Sequence, residues 1–390
     1  EDGQVVLVEI EDRGAKGPSP IGRVTRILGR PGDPDVEVLS IQFGHQLPLE
    51  FPESVDSEAE KVARRGVRPE DLEGRTDFRR LLVYTIDPAD AKDHDDAVSV
   101  HEFEDGTFEV GVHIADVSYY VKRGSSIDRE GAERGTSVYL VDRVVPMLPE
   151  ALSNQICSLV PDEDRLVVSV LFRVDSAGVV LSQQVVRGVI RSRFKLSYED
   201  AQALLDDGEP LDIRRGPDGE ALVRSLRLLS GFAQKLRARR STAGAIDFAV
   251  PEAKVELDDD GEPVAIHRRE RLEAHRVIED LMILANETVA RIGENDDLPI
   301  LYRIHEPPSE DRLEGLRSLA RLFGHPLPPG EIRPRDIADL VESQHGSRRE
   351  YLVSTVALRS MKKARYSGKN VGHFGLASEA YAHFTSPIRR

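Results

Sequence analysis

Aspartate is concentrated in one short stretch of the chain, directly after an apolar run at 81–84 that predicts a buried strand. Unpaired carboxylates held close together repel one another, and either raised pKa values or a bound cation relieves that repulsion. Ligation by oxygen alone suits Mg²⁺ or Mn²⁺. We therefore predict a hard-metal site, with a solvated acidic turn as the alternative. The aspartates of this stretch are Asp87, Asp90, Asp93, Asp95 and Asp96.

The strand that precedes the aspartates should end near Asp87, because Pro88 cannot donate to a sheet ladder. The other carboxylates then lie in a loop that can point several side chains inward. Two further strands, at 97–103 and 108–115, are joined by Asp105-Gly106, a good hairpin signal. The loop should thus be anchored by strands on both sides. A calcium-binding EF-hand is excluded, because alanine occupies the third and fifth positions counted from Asp87.

The composition limits the classes of protein to which the chain can belong. With 53 Lys and Arg against 69 Asp and Glu, the net charge is −16. This charge argues against a broadly basic nucleic-acid-binding surface but leaves room for a local basic channel. The single cysteine, Cys157, rules out an internal disulfide. Since the sequence shows neither a long apolar span nor a secretory leader, we predict a cytoplasmic protein without membrane contact.

The rest of the chain predicts two units of different type. Residues 1–56 contain three β-rich runs, at 5–10, 21–28 and 36–42, separated by Gly- and Pro-rich turns, which is typical of a small β-barrel. Residues 57–74 are charged and predict a helical connector. From residue 75, strands and helices mix without strict alternation, which favours an α+β domain. The predicted elements there are a hairpin at 166–174 and 179–190, a helix at 198–205 capped by Ser197, an apolar helix face at 222–236, strands at 244–248 and beside the turn 258–261, and helices at 273–292, 310–323 and 350–365.

The pattern Thr-Ile-Asp-x5-Asp-x-Asp-Asp-Ala, carried by Asp87, Asp93, Asp95 and Asp96, resembles the signature of the RNB family, the ribonuclease II and ribonuclease R exoribonucleases. Four later stretches also match, at 113–121, 135–140, 145–149 with 152–154, and 383–390, and their sequences are more similar to ribonuclease R than to ribonuclease II. The resemblance implies a cold-shock OB-type domain at 1–56 that binds single-stranded RNA, a connector at 57–74 and an RNB catalytic domain at 75–390. Relatives continue beyond Arg390, so the chain is expected to be C-terminally incomplete.

The resemblance also implies an activity and a role for each site residue. The chain is expected to be a monomeric, Mg²⁺-dependent enzyme, with Mn²⁺ as a substitute. It would degrade single-stranded RNA processively from 3′ to 5′ into nucleoside 5′-monophosphates. Asp87 and Asp96 would bind the metal directly, and Asp93 would complete or orient that shell. Asp95 would be the residue whose loss reduces turnover most, and Arg389 would hold the scissile phosphate through its forked, permanently charged side chain.

Tyr139 and Tyr302 match the positions at which the family stacks the last bases of its substrate, since either ring offers a π face. Taken without the family, both are typical half-buried structural tyrosines, and Arg389 is typical of a surface or salt-bridge arginine. Two other functions stay open at this point. One is a non-catalytic RNA-binding or scaffold member of the same family. The other is an unrelated Mg²⁺ phosphomonoesterase, which explains the aspartate loop but neither the tyrosines nor the Arg389 segment.

Overall fold

The N-terminal residues form a β-hairpin followed by a helix. In the computed structural model, which describes residues 3–12, 20–206, 217–248, 252–258 and 261–390, strand β1 (Val5–Asp12) pairs antiparallel with β2 (Ile21–Gly29). The first two predicted β-runs are therefore confirmed. The third, at 36–42, is wrong, because these residues lie in helix α1 (Pro34–Gly44). Proline at the start of the helix and acidic residues in its first turn favour a helical N-terminus, and these signals override the β-branched run.

The predicted charged connector is helical and is packed against the domain that it precedes. It consists of α2 (Glu53–Arg65) and a short 3-10 turn, Pro69–Leu72. Val55 and Ala59 of α2 are buried in a hydrophobic cluster shared with the central sheet. The connector therefore serves as part of the core that supports the larger domain.

A mixed sheet of seven strands forms the centre of the larger domain. Nine strands occur in this part of the chain, of which β7 and β8 lie outside the sheet. They are β3 (Thr76–Asp77), β4 (Val83–Asp87), β5 (Asp96–Glu102), β6 (Phe108–Ala115), β7 (Val138–Tyr139), β8 (Val144–Val145), β9 (Asp164–Val174), β10 (Val180–Arg191) and β11 (Phe194–Ser197). The sheet has the order β11–β4–β5–β6–β9–β10–β3, while β7 and β8 pair only with each other. The β11–β4 and β10–β3 pairs are parallel and the others are antiparallel. Both predicted hairpins, β5–β6 and β9–β10, are confirmed.

Helices cover both faces of this sheet. They are α3 (Val117–Tyr120), α4 (Ser126–Arg134), α5 (Tyr198–Leu205), α6 (Pro217–Ala243) and α7 (Glu273–Asn295), with α2 and a π-helical turn, Ala151–Ile156. Tyr84 packs on the side of α5, α6 and α7, whereas its neighbour Val83 packs on the side of α2, α4 and the π-helical turn. Successive strand residues point to opposite faces, so a strand that is buried on both faces needs apolar residues at every position. This explains why the run at 81–84 is apolar without alternation.

Local signals predicted α5, α6 and α7 well. The Ser197 hydroxyl accepts from the Asp200 N–H at 2.9 Å, and the Asp200 carboxylate accepts from the Ser197 N–H at 3.2 Å. This reciprocal pair is a capping box, which satisfies two backbone donors at the helix start. All the apolar residues of the predicted face of α6 are buried, namely Leu222, Leu226, Leu229, Ala233 and Leu236.

The C-terminal part of the chain adds small sheets and three more helices. They are β12 (Ala253–Leu257), β13 (Pro263–Arg268), β14 (Tyr302–Ile304), α8 (Glu310–Leu322), α9 (Pro334–Glu342), α10 (Glu350–Ser360) and β15 (Arg365–Ser367). The predicted strand at 244–248 is wrong, because Gly244 has φ of 100° and these residues form an irregular segment. The predicted helix at 350–365 ends early, since residues 365–367 pair with β14. Among the described helices, none combines the length and apolar character needed to cross a membrane.

Candidate active site

Asp87 and Asp96 stand at the same end of one antiparallel strand pair. Strand β4 ends at Asp87 and β5 begins at Asp96. The two strands pair only through Val83 with Ser99 and Tyr84 with Val98, so they separate toward the aspartate loop. Both carboxylates are buried between the strand ends. The predicted anchoring of the loop by a strand on each side is confirmed.

Two residues that the sequence did not single out fasten the aspartate loop. The Ser158 hydroxyl accepts from the His94 N–H at 3.1 Å and donates to the Lys92 carbonyl at 2.7 Å. The buried His94 ring places Nδ1 at 2.7 Å from Asp87 Oδ2. His94 could have been noticed because it lies inside the aspartate motif. Ser158 carries no such signal, because only the tertiary fold brings it to the loop.

Asp95 joins the loop to the C-terminal segment. Its side chain is fully buried, and Oδ1 accepts from the Ile388 N–H at 2.7 Å while Oδ2 accepts from Arg389 Nε at 2.5 Å. The two residues predicted to act in catalysis, Asp95 and Arg389, are thus in direct contact. Within the described residues, no hydrogen bond involves either terminal nitrogen of Arg389, so these donors are available to a ligand.

Tyr139 belongs to the same site, and Tyr302 does not contact it. The Tyr139 hydroxyl donates to Asp93 Oδ2 at 2.6 Å, and 53% of the residue is exposed. Just before it, the Ser137 N–H donates to the Arg389 carbonyl at 2.9 Å. Tyr302 is only 6% exposed and packs in a small cluster with Ile304 and alanines of α7 and the C-terminal segment. Within the described residues, no hydrogen bond or ring contact joins Tyr302 to the aspartates, so its stacking role stays a prediction.

Burial and crowding shift the titration of the carboxylates. Burial raises the pKa of Asp95 to about 6, although Arg389 and the Ile388 N–H favour its ionised form. Burial, and then the neighbouring charge of Asp87, raise the pKa of Asp96 well above its usual range. Burial lowers the guanidinium pKa of Arg389, but Asp95 and Asp96 together raise it by more, so the arginine keeps its charge. The site therefore gathers several carboxyl groups beside one arginine, and burial favours the protonated forms of Asp95 and Asp96.

The donor set fits a hard cation, but the structure does not assemble a coordination sphere. Among the described residues, no three Asp, Glu, His or Cys side chains are arranged as a formed metal site. Three of the predicted ligands instead contact protein side chains. Asp87 contacts His94, Asp93 contacts Tyr139 and Asp95 contacts Arg389. No hydrogen bond or salt bridge reaches the Asp96 carboxylate in the described part of the chain. Since buried, mutually repelling carboxylates are relieved by a bound divalent cation, the chemistry of the site matches the predicted Mg²⁺ or Mn²⁺.

A cleft of about 880 Å³ opens beside the loop at residues 88–90. Its wall includes the rings of Tyr198 and His275, which stack with centroids 3.9 Å apart and an interplanar angle of 12°. Burial, and then the charges of Asp96 and Asp87, raise the pKa of the Tyr198 hydroxyl. Charged side chains of both signs also line the cleft, namely Lys254, Arg268 and Arg269 with Asp90, Glu199, Glu252 and Glu270. The cleft therefore offers space and aromatic surface beside residues 88–90, while its lining is of mixed charge.

Comparison with known proteins gives consistent matches along the whole chain. The RNB domain family matches residues 75–390, and the cold shock domain family matches residues 1–52. Ribonuclease R from Aquifex aeolicus is 41% identical over 391 residues, covering 100% of this chain and 55% of that protein. Ribonuclease R from Thermotoga maritima is 42% identical, covering 99% and 54% respectively. The structure of Mycoplasma genitalium RNase R in complex with ribose-methylated single-stranded RNA aligns with a TM-score of 0.92 at 30% identity, covering 100% of this chain and 60% of that one. The chain thus spans about half the length of the curated relatives that it matches.

Proposed function

The chain belongs to the RNB domain family, and on this premise we propose that it carries the catalytic site of a 3′-to-5′ exoribonuclease. The proposed reaction is processive hydrolysis of single-stranded RNA to nucleoside 5′-monophosphates. The observation that carries the proposal is the contact of Asp95 with Arg389, because it places a forked cation against a buried carboxylate cluster. The similar M. genitalium protein is described in complex with single-stranded RNA, which supports RNA as the substrate class.

The proposed mechanism assigns a separate task to each part of the site. Asp87, Asp93, Asp95 and Asp96 would hold Mg²⁺, with Mn²⁺ as a substitute, and a cation bound there activates water and neutralises charge on the phosphate. Arg389 binds the scissile phosphate through its two terminal nitrogens, while its Nε remains on Asp95. The Ile388 N–H and the His94 ring orient Asp95 and Asp87. Tyr139 offers an exposed ring on which the terminal base can stack.

The proposal extends to the organisation of the chain. We retain residues 1–56 as an RNA-binding cold-shock domain, 57–74 as a connector and 75–390 as the catalytic domain, which the matches to 1–52 and 75–390 support. We also propose that the protein is a monomer and is located in the cytoplasm, on the basis of the sequence alone.

One experiment tests the proposed reaction. The chain is incubated with 5′-labelled single-stranded RNA and Mg²⁺, beside the matched DNA and beside the Asp95→Asn variant. We expect the unaltered chain alone to shorten the RNA from its 3′ end, which leaves a short fragment that carries the 5′ label, and to leave the DNA intact. Binding of RNA without cleavage would instead favour the non-catalytic scaffold. Hydrolysis of p-nitrophenyl phosphate without RNA cleavage would favour a phosphomonoesterase.

A further inference from the structure

The strand pair β14–β15, extended by residues 381–383, forms a small sheet whose two faces differ in chemistry. Tyr302 pairs with Ser367, and Arg303 pairs with Tyr366. The C-terminal segment joins on the other side, where Tyr302 bridges to Ala382 and the Arg303 N–H donates to the Tyr381 carbonyl at 2.8 Å. Because side chains alternate along a strand, Tyr302 and Ala382 share the buried face, while Arg303, Tyr366 and His383 share the other.

That other face presents an aromatic ring to solvent. Tyr366 is 40% exposed. The Arg303 guanidinium lies 4.7 Å from the centroid of the ring, and the His383 ring meets it edge-on at 5.5 Å. The Tyr366 hydroxyl lies 2.6 Å from His383 Nδ1, which fixes the orientation of the tyrosine. An oriented, half-open ring flanked by a cation is a surface on which a nucleobase can stack.

The positive charge of this face is not neutralised locally. Within the described residues, neither Arg303 nor Arg390 forms a salt bridge, and Arg390 Nη1 lies 3.3 Å from His383 Nδ1. By contrast, Arg365, which points to the opposite side of β15, lies 3.5 Å from Glu306. In a chain with a net charge of −16, two arginines without carboxylate partners beside an exposed tyrosine are suited to a phosphate backbone.

The face is also directly connected to the candidate active site. Arg390 follows Arg389, whose Nε contacts Asp95. Asn286 of α7 fixes the intervening segment, because its Oδ1 accepts from the Phe384 and Thr385 N–H groups at 2.7 and 3.0 Å. The surface and the candidate active site are therefore joined by adjacent residues of one C-terminal segment.

We propose that Tyr366, together with Arg303, His383 and Arg390, forms a base-stacking site that binds single-stranded RNA upstream of the scissile phosphate. This inference rests on the proposed function of the same site. On the small sheet, the base would stack on Tyr366 of β15 and not on Tyr302 of the neighbouring strand β14, which is buried. The alternative is that the Arg303–Tyr366 contact only stabilises the β14–β15 pair.

The test compares RNA binding by variants in an Asp95→Asn background, which prevents cleavage. Tyr366→Ala should weaken the binding of a short single-stranded RNA roughly 5- to 150-fold, the loss expected for one stacked base. Tyr366→Phe should bind like the parent protein, because it retains the ring. Tyr366→Leu keeps an apolar strand residue without a π face and should bind as weakly as Tyr366→Ala. Tyr351→Ala, which removes an exposed tyrosine from α10, serves as the matched control and should not change affinity.

Fluorescence of RNA that carries 2-aminopurine separates stacking from stabilisation. The parent and Tyr366→Phe proteins should quench an interior 2-aminopurine, and Tyr366→Leu should not. Equal quenching and affinity in the parent and Tyr366→Leu proteins would refute the stacking site while leaving the proposed function intact. If the parent protein itself fails to bind RNA, the proposed function and this inference are both wrong.

Discussion

Replacing Asp95 by asparagine should abolish turnover and at the same time stabilise the metal-free fold. Burial raises the pKa of this carboxyl from 3.8 to about 6, in spite of its contact with Arg389. At about 1.36 kcal/mol for each pKa unit, ionised Asp95 costs the folded chain about 3 kcal/mol. Asparagine removes that cost, but its single amide oxygen satisfies only one of the two donors, and the lost contact costs about 1 kcal/mol. We expect a net gain of about 2 kcal/mol in the free energy of unfolding.

The gain should depend on pH in a defined direction. The pKa of Asp95 is higher in the folded chain than in the unfolded chain, so the folded state holds this proton more tightly. The penalty is absent below the unfolded value of 3.8 and develops as the pH rises through about 6. The difference in stability between the two proteins should therefore be small near pH 4 and largest near pH 8.

Urea denaturation in the presence of EDTA measures this difference, and single-turnover cleavage of labelled RNA with Mg²⁺ measures the loss of function. Asp93→Asn is the matched control, because Asp93 is partly exposed and its replacement should change stability by no more than about 0.5 kcal/mol. A less stable Asp95→Asn protein near pH 8 would show that the pair with Arg389 outweighs the cost of burial. Near-normal cleavage would remove Asp95 from its assigned role.

Four other outcomes test the remaining parts of the site. Arg389→Lys should reduce single-turnover cleavage roughly 10²- to 10³-fold, because lysine keeps the charge but loses the fork; unchanged cleavage would exclude Arg389 as the phosphate ligand. Tyr139→Ala should weaken RNA binding by about 1–3 kcal/mol and alter the final product length. Tyr302→Ala should instead lower the free energy of unfolding by about 3–5 kcal/mol, because its ring is buried. If binding titrations showed the loss for Tyr302→Ala and urea denaturation showed it for Tyr139→Ala, both placements would be contradicted. Ser158→Ala should cost about 1–3 kcal/mol of stability and slow cleavage, since it releases His94 and Lys92; an unaffected rate would show that the loop is held without it. Affinity of the Asp95→Asn protein for RNA should fall with salt, with a slope of about −0.7 per neutralised phosphate; a flat dependence would exclude electrostatic binding.

Elements defined by contacts close in sequence were predictable. The turn at Gly106, the cap at Ser197 and the apolar face of α6 were correct because each depends on residues only a few positions apart. The error at 244–248 falls where tertiary context decides the outcome. The strand predicted at 244–248 is irregular, and the Ile246 N–H donates instead to the Gly375 carbonyl at 3.0 Å.

For the site, the sequence alone determined which carboxylates are clustered and that the cluster lies between two strands, because the aspartate spacing and the proline that ends β4 are local properties. Only the tertiary structure decided which positively charged side chain contacts these carboxylates. Asp95 and Arg389 are 294 positions apart, and their contact depends on how the C-terminal segment packs on α7 and the central sheet. The same packing turns Tyr302 inward and Tyr366 outward, because the pairing of β14 with β15 and with residues 381–382 sets which face of each strand meets the core.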